Sequence, residues 1–348
     1  MRICIVTDAW APQINGVVRT LEATREGLER LGHTVGVVSP ADYRSVPCPT
    51  YPEIRLALAS RAKVGARIEA FAPDALHLAT EGPLGIAARS WAQRHGLSFT
   101  TAYHTHFPQY LSRRTHMPAA PFWRFIRWFH APATATLAAT EGLRSELASH
   151  GVGPTLPWSR GVDLRQFSPV GDFHPAFRRL PGPIMLYVGR IAVEKSVERF
   201  LALDVAGTKV VVGDGPARAS LAVRFPDAVF LGPMRGAELA AAYRSADVFV
   251  FPSSTDTFGL VMVEALACGT PVAALPEDGP RAIVTPECGA LSPDLGVAVR
   301  EALGKHRADC AARARDFGWD AATRQFLAAL TPLAAEARPH ADAMPFAA

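Results

Sequence analysis

The sequence predicts an α/β chain of two domains, each a doubly wound, mostly parallel sheet. Three observations carry that prediction. Short apolar runs, such as 2–7 (RICIVT), 35–38 (VGVV), 184–188 (IMLYV) and 248–251 (VFVF), alternate with helical patterns along the chain. Alternation of strand and helix is the pattern of a parallel sheet with helical crossovers. At 348 residues the chain is long enough to bury two cores. Residues 169–183 (PVGDFHPAFRRLPGP) are rich in Pro and Gly, as expected of a linker between halves.

Composition narrows the class. With 49% hydrophobic and 20% charged residues the chain reads as an ordinary globular protein. No apolar run approaches the roughly 18 residues that a membrane-spanning helix needs. Residues 1–10 read as a first strand and not as a signal peptide. The cysteines Cys4, Cys48, Cys268, Cys288 and Cys310 are scattered, with no C-x-x-C pair. That pattern points to reduced thiols in a cytosol and away from a zinc site. The net charge of +4 is mild, so its local concentration matters more than its sum.

In the first domain, strand 2–7 leads through the loop AWAPQING into a helix over 15–31, with Val17, Leu21, Leu28 and Leu31 on one face and Gly32 as its stop. Asn15 and Gly16 stand at the helix start, where unbonded N–H groups and the helix dipole favour a phosphate; a plain helix cap explains them equally well. Further strands are expected at 75–79, 98–103 and 136–139. The strand at 98 runs into His104, Thr105 and His106. A histidine at the C-terminal end of a parallel strand lies where open α/β sheets bind ligands, although a structural histidine is the commoner case. Residues 113–130 (RRTHMPAAPFWRFIRWFH) combine Arg113, Arg114, Arg124 and Arg127 with five large aromatics. Phe122, Phe125, Ile126 and Phe129 share one side of a helix, with Trp123 and Trp128 nearer its flanks. Arg and Trp beside an apolar stripe suit a membrane interface; a core helix with snorkelling arginines is the other reading. Nucleic acid is not expected, because nothing else along the chain supports it.

In the second domain, strand 184–188 is followed by GRIAVEK. Gly189 lets the backbone turn, and Arg190 and Lys195 lie near a helix carrying Val197, Phe200 and Leu201. Two fixed cations at a helix start make a diphosphate clamp; solvated side chains paired with Glu194 are the alternative. Strand 248–251 opens the stretch SSTDTFGLVMVEALACGT, which carries Asp256 and Glu264. A helix starting near Phe258 sets Glu264 about two turns inside it and Asp256 just before it. Two separated carboxylates suit two hydroxyls of one ligand. Asp256 also fits an N-cap, whereas the apolar neighbours of Glu264 argue that it is buried and therefore partnered. Residues 277–280 (EDGP) read as a loop, and 316–330 as a last amphipathic helix.

Several strings resemble one family in family order: PQINGV, HTHF, GVDLRQF, VGRIAVEK, VGDGP and DTFGLVMVEALACG. Together they are similar to the retaining GT-B glycosyltransferases of family 4, near the lipid-glycosylating and GDP-mannose-dependent mannosyltransferase branch. One departure is Asp256, where the family more often has Glu. The resemblance implies two Rossmann-like domains facing across a cleft: 1–165 on the acceptor side, 166–315 for the nucleotide sugar, a helix 316–331 crossing back, and a disordered tail 332–348. It implies Gly16, Asn15, Arg190 and Lys195 at the donor diphosphate, Met234 by the base, and Glu264 on the ribose. His104, Asp256, Phe258, Gly259 and Leu260 come to the sugar and its phosphates, Asp163 to the cleft, and His106 to the acceptor side.

These readings predict a hexosyltransferase using a UDP-sugar or GDP-mannose as donor, with no required cofactor or metal. Its acceptor is a membrane lipid or glycolipid, reached by peripheral contact with the cytoplasmic face through Arg113, Arg114, Trp123, Arg124, Arg127 and Trp128. A soluble glycan acceptor, a pyridoxal-dependent phosphorylase and a non-catalytic binding protein are the alternatives. Scarcity of lysine in the second domain and the short chain weigh against the phosphorylase.

Overall fold

The structure, a computed structural model, describes residues 1–13, 15–48, 51–104, 106–115, 117–254 and 256–333; for 48, 51–54, 110 and 113–115 it describes the backbone alone. Contacts divide the chain into two units, Met1–Ser159 with Trp319 onward, and Arg160–Gly318.

The first unit is built on β1 (Arg2–Val6), β2 (Thr34–Val38), β5 (Ala75–Leu78), β6 (Thr100–Ala102), β7 (Thr136–Ala138) and β8 (Thr155–Pro157), with β3 (Ser45–Cys48) and β4 (Tyr51–Ala57) apart from them as an antiparallel pair. The six strands lie in the order β2-β1-β5-β6-β7-β8, all parallel. β1, β5, β6 and β7 are buried almost throughout, whereas the edge strands β2 and β8 are partly exposed. Helix Gly16–Arg30 buries Val18, Leu21 and Leu28. It lies close against helix Trp319–Ala329, since a Cβ on Gly27 would stand 2.3 Å from Thr323 Oγ1. Phe326 on that last helix meets the buried His77 and Trp158 rings at 4.8 and 4.9 Å. The helix starts at Trp319, three residues later than expected from the sequence, and Phe317 stays in the second unit. The expected tail boundary also shifts: Leu333 is buried and its amide donates to Asp74 O at 2.7 Å. Residues 334–348 lie outside the described residues.

The second unit carries β9 (Ile184–Val188), β10 (Thr208–Val212), β11 (Val229–Gly232), β12 (Val248–Phe251), β13 (Val272–Ala274) and β14 (Gly289–Leu291), all parallel, in the order β11-β10-β9-β12-β13-β14. This is the dinucleotide-fold order 3-2-1-4-5-6. Residues 169–183 are not a free linker. Arg244 donates to Ser168 O and Asp172 O, Ser245 Oγ accepts from the His174 amide, and Phe177 is buried. A Pro- and Gly-rich composition describes an irregular path here, and the side chains of Arg244 and Ser245 from helix Gly236–Ser245 fix it. Residues 277–280 also differ from the expected loop: Glu277 stands at the cap position of helix Asp278–Ile283, and Asp278, Gly279 and Pro280 form its first turn.

Candidate active site

In the second sheet the chain leaves β9 toward β10 on one side and leaves β12 toward β13 on the other. The crevice outside the C-terminal ends of such a strand pair is where open α/β sheets bind ligands. The loops after β9 and β12 border that crevice.

After β9 the turn is made by Gly189, at φ 152°, and is locked by Gly189 N to Val212 O at 3.0 Å and Ile191 N to Asp214 O at 2.9 Å. A Cβ on Gly213 would lie 1.9 Å from Gly189 O, so the two turns interlock only as glycines. The buried Tyr187 hydroxyl donates to Arg190 O at 2.8 Å. Burial pushes that phenol well above its usual range, with Asp256 and Glu194 adding to the shift, so it stays a neutral donor. The half-buried Arg190 thus hangs from a fixed backbone. Lys195 ends a short 3-10 turn (Val193–Lys195) before helix Val197–Leu201. Its Nζ lies 2.5 Å from Asp256 Oδ1, with the two side chains 28% and 22% exposed. The bond ties the loop after β9 to the loop after β12.

The expected helix start near Phe258 is displaced. The helix runs Leu260–Ala267, its cap position is Gly259 at φ 96°, and no side chain caps it. Glu264 consequently lies about one turn inside it, not two. Asp256 does not cap the helix; it is committed to Lys195. Glu264 is 3% exposed and its Oε2 accepts from Tyr243 Oη at 3.0 Å. That partner had no sequence signal, because Tyr243 sits on another helix. Phe258 is buried with its ring against Phe317 at 5.9 Å, and Gly259 and Leu260 follow it at the start of the helix. Met234 is half-buried ahead of helix Gly236–Ser245.

The first unit presents its own strand ends. Asn15 caps helix Gly16–Arg30, its Oδ1 accepting from Val17 and Val18 amides at 3.0 Å each. His104, after β6, is half-buried with its ring edge-on to Trp158 at 5.4 Å. His106 Nδ1 stands 3.2 Å from Glu146 Oε2, and Gln109 Nε2 donates to the other oxygen. Burial would raise the Glu146 carboxyl, but the His106 bond, with His150 and Gln109 adding, holds it below its usual range. Asp163, in the second unit, accepts from the amides of Arg165 and Gln166, an Asx turn. Sequence reading passed over Asp8, which follows β1. Its carboxylate takes Leu84 N, Gly85 N and Thr80 Oγ1, and burial followed by these bonds leaves its pKa raised.

The basic, aromatic helix runs Ala120–His130. Its buried side is Trp123, Ile126, Phe129 and His130, which corrects the expected face. Trp123 stacks on His150 at 3.8 Å and is core, not surface. Arg124, Arg127 and Trp128 are exposed, Trp128 by 46%, and Arg89 lies 4.0 Å over the Trp128 ring. The side chains of Arg113 and Arg114 lie outside the described residues. Among the described residues no helix is long and apolar enough to cross a membrane, and no group of His, Cys, Asp and Glu is placed to hold a metal ion.

Residues 14–166 match the family model Glycosyltransferase Family 4, and residues 182–305 match Glycosyl transferases group 1. A GDP-mannose-dependent alpha-mannosyltransferase of Mycobacterium tuberculosis is 35% identical over 310 residues, 82% of each chain. The chain belongs to glycosyltransferase family 4. An alpha-monoglucosyldiacylglycerol synthase of Streptococcus pneumoniae is 26% identical over 79% of this family 4 chain and 71% of its own. Among solved structures, a sucrose-phosphate synthase from Thermosynechococcus elongatus superposes with a TM-score of 0.78 at 21% identity, covering 94% of this chain and 97% of that one. The family 4 enzyme has the GT-B fold and is a hexosyltransferase that uses a nucleotide-sugar donor.

Proposed function

We propose that this enzyme transfers mannose from GDP-mannose, with retention, to a hydroxyl of a membrane lipid on the cytoplasmic face. The observation that carries the reading is the Lys195–Asp256 bond across the ends of β9 and β12, with Arg190 on the same loop and the buried Glu264 one turn into the next helix. Arg190 and Lys195 bind the donor diphosphate and stabilise the charge that develops as it leaves. Lysine has three donors, so Lys195 reaches a phosphate oxygen while still bound to Asp256. Asp256 Oδ1 and Oδ2 accept from hydroxyls of the hexose, and Glu264 accepts from the ribose hydroxyls. Met234 flanks the base, and the backbone of Phe258, Gly259 and Leu260 faces the sugar and its phosphates. The family resemblance assigns Gly16 and Asn15 to the diphosphate and His104 to the hexose.

The acceptor oxygen attacks the anomeric carbon from the side of the leaving group. The new glycosidic C–O bond forms, the bond from the anomeric carbon to the phosphate oxygen breaks, and the hydroxyl proton passes to a phosphate oxygen of the departing nucleoside diphosphate. No protein nucleophile and no cofactor enters this scheme. GDP-mannose is favoured as donor by the mycobacterial relative's name, and a lipid acceptor by the pneumococcal one. Arg124, Arg127 and Trp128 are the exposed set that meets the lipid surface, with Arg113 and Arg114 added from the sequence. His106 is assigned to the acceptor side together with its partner Glu146.

The test is label transfer from radioactive GDP-mannose or UDP-glucose to mixed vesicles of phosphatidylinositol and diacylglycerol. Label from GDP-mannose in the organic phase is the expected result. Label from UDP-glucose alone moves the donor assignment, and label only in water-soluble glycans overturns the lipid acceptor. Lys195→Ala is expected to lower turnover about 10²–10³-fold with an unchanged melting temperature.

A further inference from the structure

At the C-terminal end of β5, Glu81 is a carboxylate that the scheme above does not use. Its Oε1 lies 3.3 Å from His130 Nε2. The His130 side chain is fully buried, and its Nδ1 lies 2.8 Å from Thr101 Oγ1 on β6. Thr101 Oγ1 in turn lies 3.0 Å from Thr136 Oγ1 on β7, and both threonines are buried. An ionised carboxylate only accepts, so His130 Nε2 is the donor to Glu81, and Thr101 and Thr136 continue the line from Nδ1. Each bond fixes the next. The buried line ends on a side chain that is 18% exposed, and among the described residues Glu81 Oε2 has no hydrogen bond.

The backbone around Glu81 is held as firmly. Thr80 Oγ1 donates to Asp8 Oδ2 at 2.9 Å and accepts from the Asp8 amide at 2.7 Å. Asp8 also takes the amides of Leu84 and Gly85, so the loops after β1 and β5 are strapped together. A Cβ on Gly85 would stand 1.9 Å from Thr80 O, which keeps helix Pro83–Arg94 tight on the turn. Between β1 and β5 the order of the first sheet reverses, with β1 leading to β2 and β5 to β6. Ligands bind outside the strand ends at such a point. Asp8 spends its carboxylate internally; Glu81 keeps one oxygen to offer.

We infer that Glu81 recognises the acceptor, its Oε2 accepting a hydrogen bond from a neutral hydroxyl of the acceptor head group, and that His130 is the positioning residue that aims it. The inference rests on the glycosyl-transfer reading and specifies the chemistry at one point of the acceptor. A fixed anion selects a hydroxyl and rejects a phosphate monoester presented at the same place.

The test compares wild type, Glu81→Ala, Glu81→Gln and His130→Gln as full-length enzymes, using the vesicle lipid that accepts label in the assay above. Acceptor kcat/KM, GDP affinity and melting temperature are read for each. Glu81→Ala is expected to lose about 10–100-fold in acceptor kcat/KM, with GDP affinity and melting temperature unchanged. Glu81→Gln has a single oxygen; with it held by His130 Nε2, the amide NH2 takes the place of Oε2 and cannot accept, so the loss stays close to that of Glu81→Ala. His130→Gln keeps a donor toward Glu81 and changes acceptor KM more than GDP affinity. Glu81→Ala within twofold of wild type overturns the assignment, as does a loss matched by falling GDP affinity and melting temperature. A wild type that transfers to no lipid overturns the functional reading and the assignment with it; a transferring wild type equalled by Glu81→Ala overturns the assignment alone.

Discussion

Lys195, Asp256 and Glu264 differ in how much of each was legible. The sequence places the three near one another by motif, and the apolar neighbours of Glu264 announce its burial. What it does not show is which partner each carboxylate takes. Lys195 and Asp256 are separated by 61 positions and meet only because β9 and β12 are neighbours in the sheet. Tyr243 reaches Glu264 from another helix, and a lone tyrosine in a helix pattern carries no mark of that bond. Removing the phenol oxygen leaves a buried carboxylate short of a donor. Tyr243→Phe is expected to cost about 1–3 kcal/mol, read as a lower denaturant midpoint for the second unit. If Glu264 holds the ribose, the same variant weakens nucleotide binding and leaves activity at saturating donor nearly unchanged; isothermal titration with GDP separates the two effects.

At the scale of the element, helix Ala120–His130 shows how a correct helix can be turned to the wrong side. The set Phe122, Phe125, Ile126, Phe129 and the set Trp123, Ile126, Phe129, His130 both satisfy a 3.6-residue period. Neighbours decide between them: His150 and Tyr103 offer Trp123 flat partners, at 3.8 and 6.2 Å, and Thr101 offers His130 a hydrogen bond. Two tryptophans five residues apart therefore have opposite duties. Trp123→Ala is expected to cost about 3–5 kcal/mol of stability, seen as a lowered melting temperature of the first unit. Trp128→Ser is expected to leave the melting temperature within about a degree or two and to reduce sedimentation with anionic vesicles. Equal vesicle binding by Trp128→Ser and wild type counts against this face as the membrane contact. The helix at Leu260 teaches a related lesson. Only Gly259, in a left-handed conformation, lets the chain turn from the Asp256 loop into the helix, and the periodic pattern alone sets its start too early.

For the whole molecule, alternation of strands and helices was readable along most of the chain, since parallel strands buried on both faces leave apolar runs; the three-residue strands β8 and β14 were too short to show one. The antiparallel pair β3–β4 was not, because Ser45–Cys48 carries a proline and no apolar run. Strand order was likewise not written locally, being a matter of which way each crossover turns. The last helix belongs to the first unit through Phe326, His77, Trp158 and the Gly27–Thr323 approach. A chain ending at Gly318 is expected to lose hydrogen-exchange protection in β1 and β5 while amides of β9 and β12 keep theirs; uniform loss across both units would contradict independent cores. The same discontinuity sets an order of events during synthesis. Strands β1 to β8 leave the ribosome early, but the helix that seals their core follows only after all of Arg160–Gly318 has been made. At about 5–20 residues per second, the first unit waits roughly 8–30 s with His77 and Trp158 uncovered, and a nascent chain of this enzyme offers chaperones its amino-terminal half for as long as the second unit is being made.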